Sequence, residues 1–182
     1  MSTVKSRRTA GLFLAAAIFA VDQLVKWTVA HPLMLRERGT IEIVPFFRLA
    51  WTENNGISLG LLSAETETGR WLLVAMTGLV AAVVLVWLLK ERLMPEIAAL
   101  GAVLGGALGN IVDRIQHGYV VDYADLHFGE FRPFMVFNLA DAAISLGVVF
   151  ILARSLLSRD KPAKPDTPVT ENGAAAPSPE SQ

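Results

Sequence analysis

The apolar residues of this chain neither alternate nor keep to one helical face; they run in long blocks separated by short polar connections. The segment WLLVAMTGLVAAVVLVWLL (71–89) contains no charged residue. A hydrocarbon core about 30 Å thick requires about 20 largely apolar residues per spanning helix. Four stretches meet or approach that length: 10–30, 71–89, 97–115 and 136–157. The third is rich in small residues (GAVLGGALGN), which lets helices approach closely inside a membrane. The pattern predicts a mainly α membrane protein, a four-transmembrane-helix bundle.

The connections differ in character. Between the first two spans, Ile41-Glu42-Ile43-Val44 alternates, and 46–52 is aromatic and β-prone after Pro45. Asn54-Asn55-Gly56 reads as a turn. A small β-sheet over about 40–62 is expected on the outer surface, with Phe46, Phe47 and Trp51 near headgroup level, and a short interfacial helix within 57–70. The region 116–134 reads as a loop broken by Gly118, Gly129 and Pro133. Beyond 157 the run KPAKPDTPVTENGAAAPSPESQ cannot bury enough apolar area to order itself. The expected organisation is therefore a membrane domain at 1–157 and a disordered cytoplasmic tail at 158–182.

Composition agrees: 53% hydrophobic and 18% charged residues, with a mean hydropathy of +0.45. A net charge of -1 gives no argument for nucleic acid as a partner. The lack of cysteine excludes thiol catalysis and Cys-ligated zinc, and none of the three histidines stands in an H-E-x-x-H arrangement. No metal or cofactor is called for. Lys5, Arg7, Arg8, Lys90, Arg92, Arg154, Arg159, Lys161 and Lys164 crowd short segments on one side. The arginines of the other side are spread over longer loops, which predicts cytoplasmic termini. The start of the chain also has the look of a secretory leader with a cleavage site at Ala15–Ala17, but cutting there would halve the apolar run, so a retained helix is favoured.

Polar residues inside the spans carry the chemistry. Asp22 and Lys26, at i and i+4, share a helical face and can pair. Asn110 and Arg114 have the same spacing near the outer end of the third span, with Asp113 adjacent. Asn138 and Asp141 fall in the first turns of the fourth span, Asp141 about 8 Å inside a helix starting near 135–136. Asp122 lies just past the third span, and Asp125 reads as an ordinary solvated loop acid. With the termini inside, Asp22, Asn110, Arg114, Asp122, Asn138 and Asp141 gather at the outer level, while the inner half is almost purely apolar. Intramembrane carboxylates are costly and mark function, and two together suit general acid–base chemistry. An ion- or proton-coupled transporter would instead place polar residues through the full depth, often in inverted repeats. A catalytically silent assembly subunit is a third reading.

The ordered motifs DQLVK (22–26), ENNGISLG (53–60), GGALGNIVDR (105–114), GYVVDY (118–123) and FNLADAAI (137–144) resemble the lipoprotein signal peptidase, or signal peptidase II, family. Each is weak alone; five in order are specific. The resemblance implies an aspartic endopeptidase of the bacterial inner membrane. Such an enzyme cleaves prolipoproteins just before a diacylglyceryl-modified cysteine, among membrane lipids, and is sensitive to the cyclic peptide globomycin. It makes Asp122 and Asp141 the catalytic dyad, with Asn54, Gly56, Asn110, Arg114 and Asn138 supporting or binding substrate. Asp22, Lys26 and Asp113 become structural. Leu59 departs mildly, standing where the family usually carries an aromatic.

Overall fold

The computed structural model describes residues 2–57, 62–63 and 66–158. Its elements are α1 (Ser2–Ala30), α2 (Leu35–Arg38), β1 (Thr40–Val44), β2 (Phe47–Asn54), β3 (Gly56–Ile57), β4 (Leu62–Ser63), α3 (Glu67–Lys90), α4 (Met94–His117), β5 (Val120–Leu126) and α5 (Leu139–Ser158). The expected tail, together with Arg159, Lys161, Lys164 and Leu59, lies outside the described residues.

Helices α1, α3, α4 and α5 are each long and apolar enough to cross a membrane. Helix α4 is the axis: it packs against α1, α3 and α5, which scarcely touch one another. Its small residues make this possible. A Cβ on Gly106 would stand 2.5 Å from the carbonyl oxygen of Ala140 on α5, so only glycine admits that approach. Away from α4, large apolar side chains such as Phe13, Leu79, Val83 and Val149 are exposed, as lipid contact requires.

The ends of the helices follow local chemistry. The Thr66 hydroxyl accepts the Gly69 N–H at 3.1 Å and starts α3. Gly118, at φ 89°, ends α4 in the left-handed conformation. Helix α5 begins at Leu139, later than the apolar run suggests, because Asn138 caps it. Asp141 consequently lies in its first turn and not two turns down.

Strands β1, β2 and β5 form an antiparallel sheet in the order β1-β2-β5. Thr52 pairs with Asp122 and Arg48 with Asp125. The expected strand region is borne out in β1 and β2, joined through Pro45 and Phe46. The expected loop after α4 is instead strand β5; of the segment where an interfacial helix was anticipated, Ile57, Leu62 and Ser63 belong to the β3–β4 pair and 67–70 open α3, while 58–61 and 64–65 lie outside the described residues. Val29, Leu35, Val121, Tyr123 and Ala124 make a core between the sheet and the C-terminal end of α1, so the sheet is anchored where the polar residues collect.

Candidate active site

The first turn of α5 organises the site. A helix start leaves its first N–H groups without intrahelical partners, and here each finds a named side chain. Leu139 N–H donates to Tyr123 Oη at 3.2 Å, Ala140 N–H to Asp22 Oδ1 at 3.0 Å, and Asp141 N–H to Asn138 Oδ1 at 2.8 Å. Asp141 Oδ2 accepts the Asn138 N–H in return at 3.2 Å, the reciprocal arrangement of a capping box. This fixes the Asp141 carboxylate.

Asn138, fully buried, joins the two candidate acids. Its Nδ2 donates to Asp122 Oδ1 at 2.6 Å, while its backbone N–H holds Asp141. Asn54 Nδ2 donates to Asp122 Oδ2 at 2.9 Å, and Asn110 Nδ2 donates to Asp141 Oδ1 at 2.8 Å. The orientation of each amide is set by its oxygen end. Asn54 Oδ1 accepts Gly56 N–H, Asn138 Oδ1 accepts Asp141 N–H, and Asn110 Oδ1 accepts the Lys26 ammonium at 3.1 Å. Three asparagines thus aim their donors at two carboxylates.

Behind them lies a buried ionic cluster. Lys26 Nζ stands 2.8 Å from both Asp22 Oδ2 and Asp113 Oδ2. The expected Asp22–Lys26 pair is present, and Asp113 completes it from α4. The free oxygen of Asp22 holds the N–H of Ala140, immediately before Asp141. Asp113 Oδ2 holds the N–H of Val121 at 3.1 Å, immediately before Asp122. Gln23 Nε2, which sequence reasoning missed, donates to Asp113 Oδ1 at 3.0 Å. One lysine therefore ties down both backbone segments that carry the dyad candidates. A cavity of about 640 Å³ borders this cluster on Lys26 and Asp113, and neither Asp122 nor Asp141 lines it.

The two acids differ in environment. Asp122 is 1% exposed and Asp141 is part-exposed. Burial, then the neighbouring Asp141 charge, pushes the Asp122 carboxyl up to about 6, against the opposing hydrogen bonds of Asn54 and Asn138. Arg114 lies within Coulombic reach of both, donates to the Asn110 carbonyl at 3.3 Å, and keeps a buried Nε without a protein partner. Asp125 is not the solvated acid expected: it is 1% exposed and pairs with Arg48 at 2.7 Å and Arg132 at 3.7 Å.

Comparison with known proteins matches this architecture. A family model described as signal peptidase (SPase) II covers residues 14–157. The chain belongs to the signal peptidase II family. It is 53% identical over 156 residues to the lipoprotein signal peptidase of Sphingopyxis alaskensis, spanning 86% of this chain and 90% of that one. With that of Rhizorhabdus wittichii the identity is 50% over 153 residues, 84% of this chain and 89% of the relative. Two solved bacterial membrane enzymes, determined by the in meso method, share the fold. One has a TM-score of 0.66 at 24% identity, covering 86% of this chain and 95% of its own; the other has 0.64 at 25%, covering 81% and 93%. This signal peptidase II chain is thus a multi-pass membrane protease. Its sequence did carry a signal for part of what was missed: VVDYADL is rich in β-prone Val and Tyr, with Tyr123 next to Asp122.

Proposed function

We propose that this chain removes signal peptides from bacterial prolipoproteins, cutting before the diacylglyceryl-modified cysteine with Asp122 and Asp141 as an aspartic dyad. The observation that carries the reading is Asn138, one buried residue bonded to both carboxyl groups, to Asp122 through its side-chain Nδ2 and to Asp141 through its backbone N–H. Two close carboxylates cannot both ionise cheaply and share one proton. Burial favours the neutral form of Asp122, so we assign the shared proton to it and the role of base to the more accessible Asp141. Asp141 takes a proton from water as the oxygen attacks the scissile carbonyl carbon, and Asp122 gives its proton to the carbonyl oxygen. On collapse, Asp122 recovers a proton from the diol and Asp141 delivers its own to the leaving amine, restoring the dyad.

In this reading Asn54, Asn110 and Asn138 hold the carboxylates, Gly56 shapes the turn that fixes Asn54, and Arg114 offers a donor to substrate carbonyls. Asp22, Lys26 and Asp113 position the dyad. The protein lies in the bacterial inner membrane with both termini cytoplasmic and the dyad at the outer leaflet. A substrate with its own apolar helix and lipid reaches it laterally, and globomycin competes for the same place.

The test is a gel shift of a lipidated prolipoprotein incubated with Asp122→Asn and Asp141→Asn variants. Both should leave the precursor unprocessed at normal expression. Full processing by either removes the dyad assignment.

A further inference from the structure

At the end of the bundle opposite the dyad, a cavity of about 380 Å³ opens beside Val4, Lys5, Arg8 and Arg92. Three of these four residues are cationic, and Arg7 and Lys90 stand close by. Arg8 is fixed in place: its Nε donates to the Glu91 carbonyl at 2.9 Å and its Nη2 to the Lys90 carbonyl at 3.0 Å, capping the end of α3. Arg7 Nη1 donates to the Arg92 carbonyl at 3.2 Å. The acids nearby are already committed. Glu91 Oε1 accepts the N–H groups of Arg92 and Leu93 at 2.7 and 3.1 Å, and Glu96 pairs with Arg154 at 2.8 Å.

Glu91 offsets part of the Arg8 charge, and a cleft of net positive charge from Lys5, Arg8 and Arg92 sits on the rim of a membrane-spanning bundle. Directly along the same helices lie exposed apolar side chains, Leu12 and Phe13 on α1 and Val86 and Trp87 on α3. A ligand that fits both features has a negative head at the rim and hydrocarbon beside the helices. Basic pockets between spanning helices hold anionic lipid headgroups on this principle.

We infer that the cleft formed by Lys5, Arg8 and Arg92 binds the phosphodiester headgroup of an anionic glycerophospholipid, with the acyl chains along α1 and α3. Lys5 and Arg92, both exposed, supply the charge that recognises phosphate, and Arg8 joins the site to the end of α3. The site is independent of the catalytic reading.

The experiment is a binding titration of the purified full chain, in neutral micelles, with phosphatidylglycerol, phosphatidylcholine and inorganic phosphate. Phosphatidylglycerol should bind saturably and phosphatidylcholine should not. Each cation that contacts the bound headgroup inside the cleft is worth roughly a factor of five. Lys5→Ala should therefore weaken phosphatidylglycerol about fivefold, and Lys5→Ala with Arg92→Ala roughly thirtyfold. Lys90→Ala removes an equal charge outside the cavity and should leave the affinity unchanged. Equal losses for Lys5→Ala and Lys90→Ala would mean diffuse attraction and overturn the site. So would equal binding of phosphatidylcholine, or displacement by inorganic phosphate at comparable concentration.

Discussion

Replacing Lys26 by Met tests whether the buried cluster positions the two proposed catalytic acids, Asp122 and Asp141. Methionine has nearly the length of lysine but no charge, so Asp22 and Asp113, 0% and 1% exposed, would face each other without a cation. Breaking a buried ion pair by removing one partner costs about 3–5 kcal/mol. Asn110 would also lose the ammonium that fixes its amide and, through it, Asp141. A hydrogen bond to a charged group contributes about 1.5–3 kcal/mol, so kcat should fall about 10- to 100-fold, with KM little changed. Adding Asp113→Asn to Lys26→Met leaves a single carboxylate and should recover part of the lost stability, a coupling of about 0.5–3 kcal/mol. The assays are reversible unfolding in mixed micelles and single-turnover cleavage of a lipidated precursor. A Lys26→Met protein with unchanged stability and unchanged kcat would refute the positioning role.

Three further outcomes follow from the same geometry. The Asp122 carboxyl is raised to about 6, so the folded state holds a proton that the unfolded chain has lost; stability should fall as pH rises from about 4 to about 6 and then level, and Asp122→Asn should flatten that slope when unfolding is followed against pH. Asn54 favours the ionised form of Asp122, so Asn54→Ala should move the alkaline limb of kcat/KM to higher pH, and an unmoved or lowered limb would contradict it. Gly109→Ala places a Cβ 2.5 Å from Asp22 Oδ2 and should cost about 1–3 kcal/mol of stability by overpacking; an unfolding free energy equal to that of the parent would show that the cluster yields freely.

The spans were legible because the bilayer imposes one length and one polarity on them: 71–89 required no knowledge of its neighbours, and α3 (Glu67–Lys90) adds only one turn before it and Lys90 after it. Asp22 and Lys26 were legible as a pair because helical spacing alone brings them together. That Asp113 shares Lys26 was not, since nothing local says which way the lysine leans when two acids compete for it. Strand β5 was obscured for a related reason. Its run VVDYADL does not alternate, since six of its seven residues are buried, and it forms by pairing with β2, a partner distant in sequence. Asp125 was misread with it: an acid on a presumed loop looks solvated until Arg48 is seen on the adjacent strand.

The fixed polarity of the three asparagines has a consequence for proton traffic. Among the described residues, every protein group bonded to the Asp122 and Asp141 side chains gives a hydrogen and none receives one. A proton lodged on this pair has no scaffold atom to escape to. Its open destinations are the sister carboxyl, a water molecule, or an incoming amide, so the surroundings commit it to the guest.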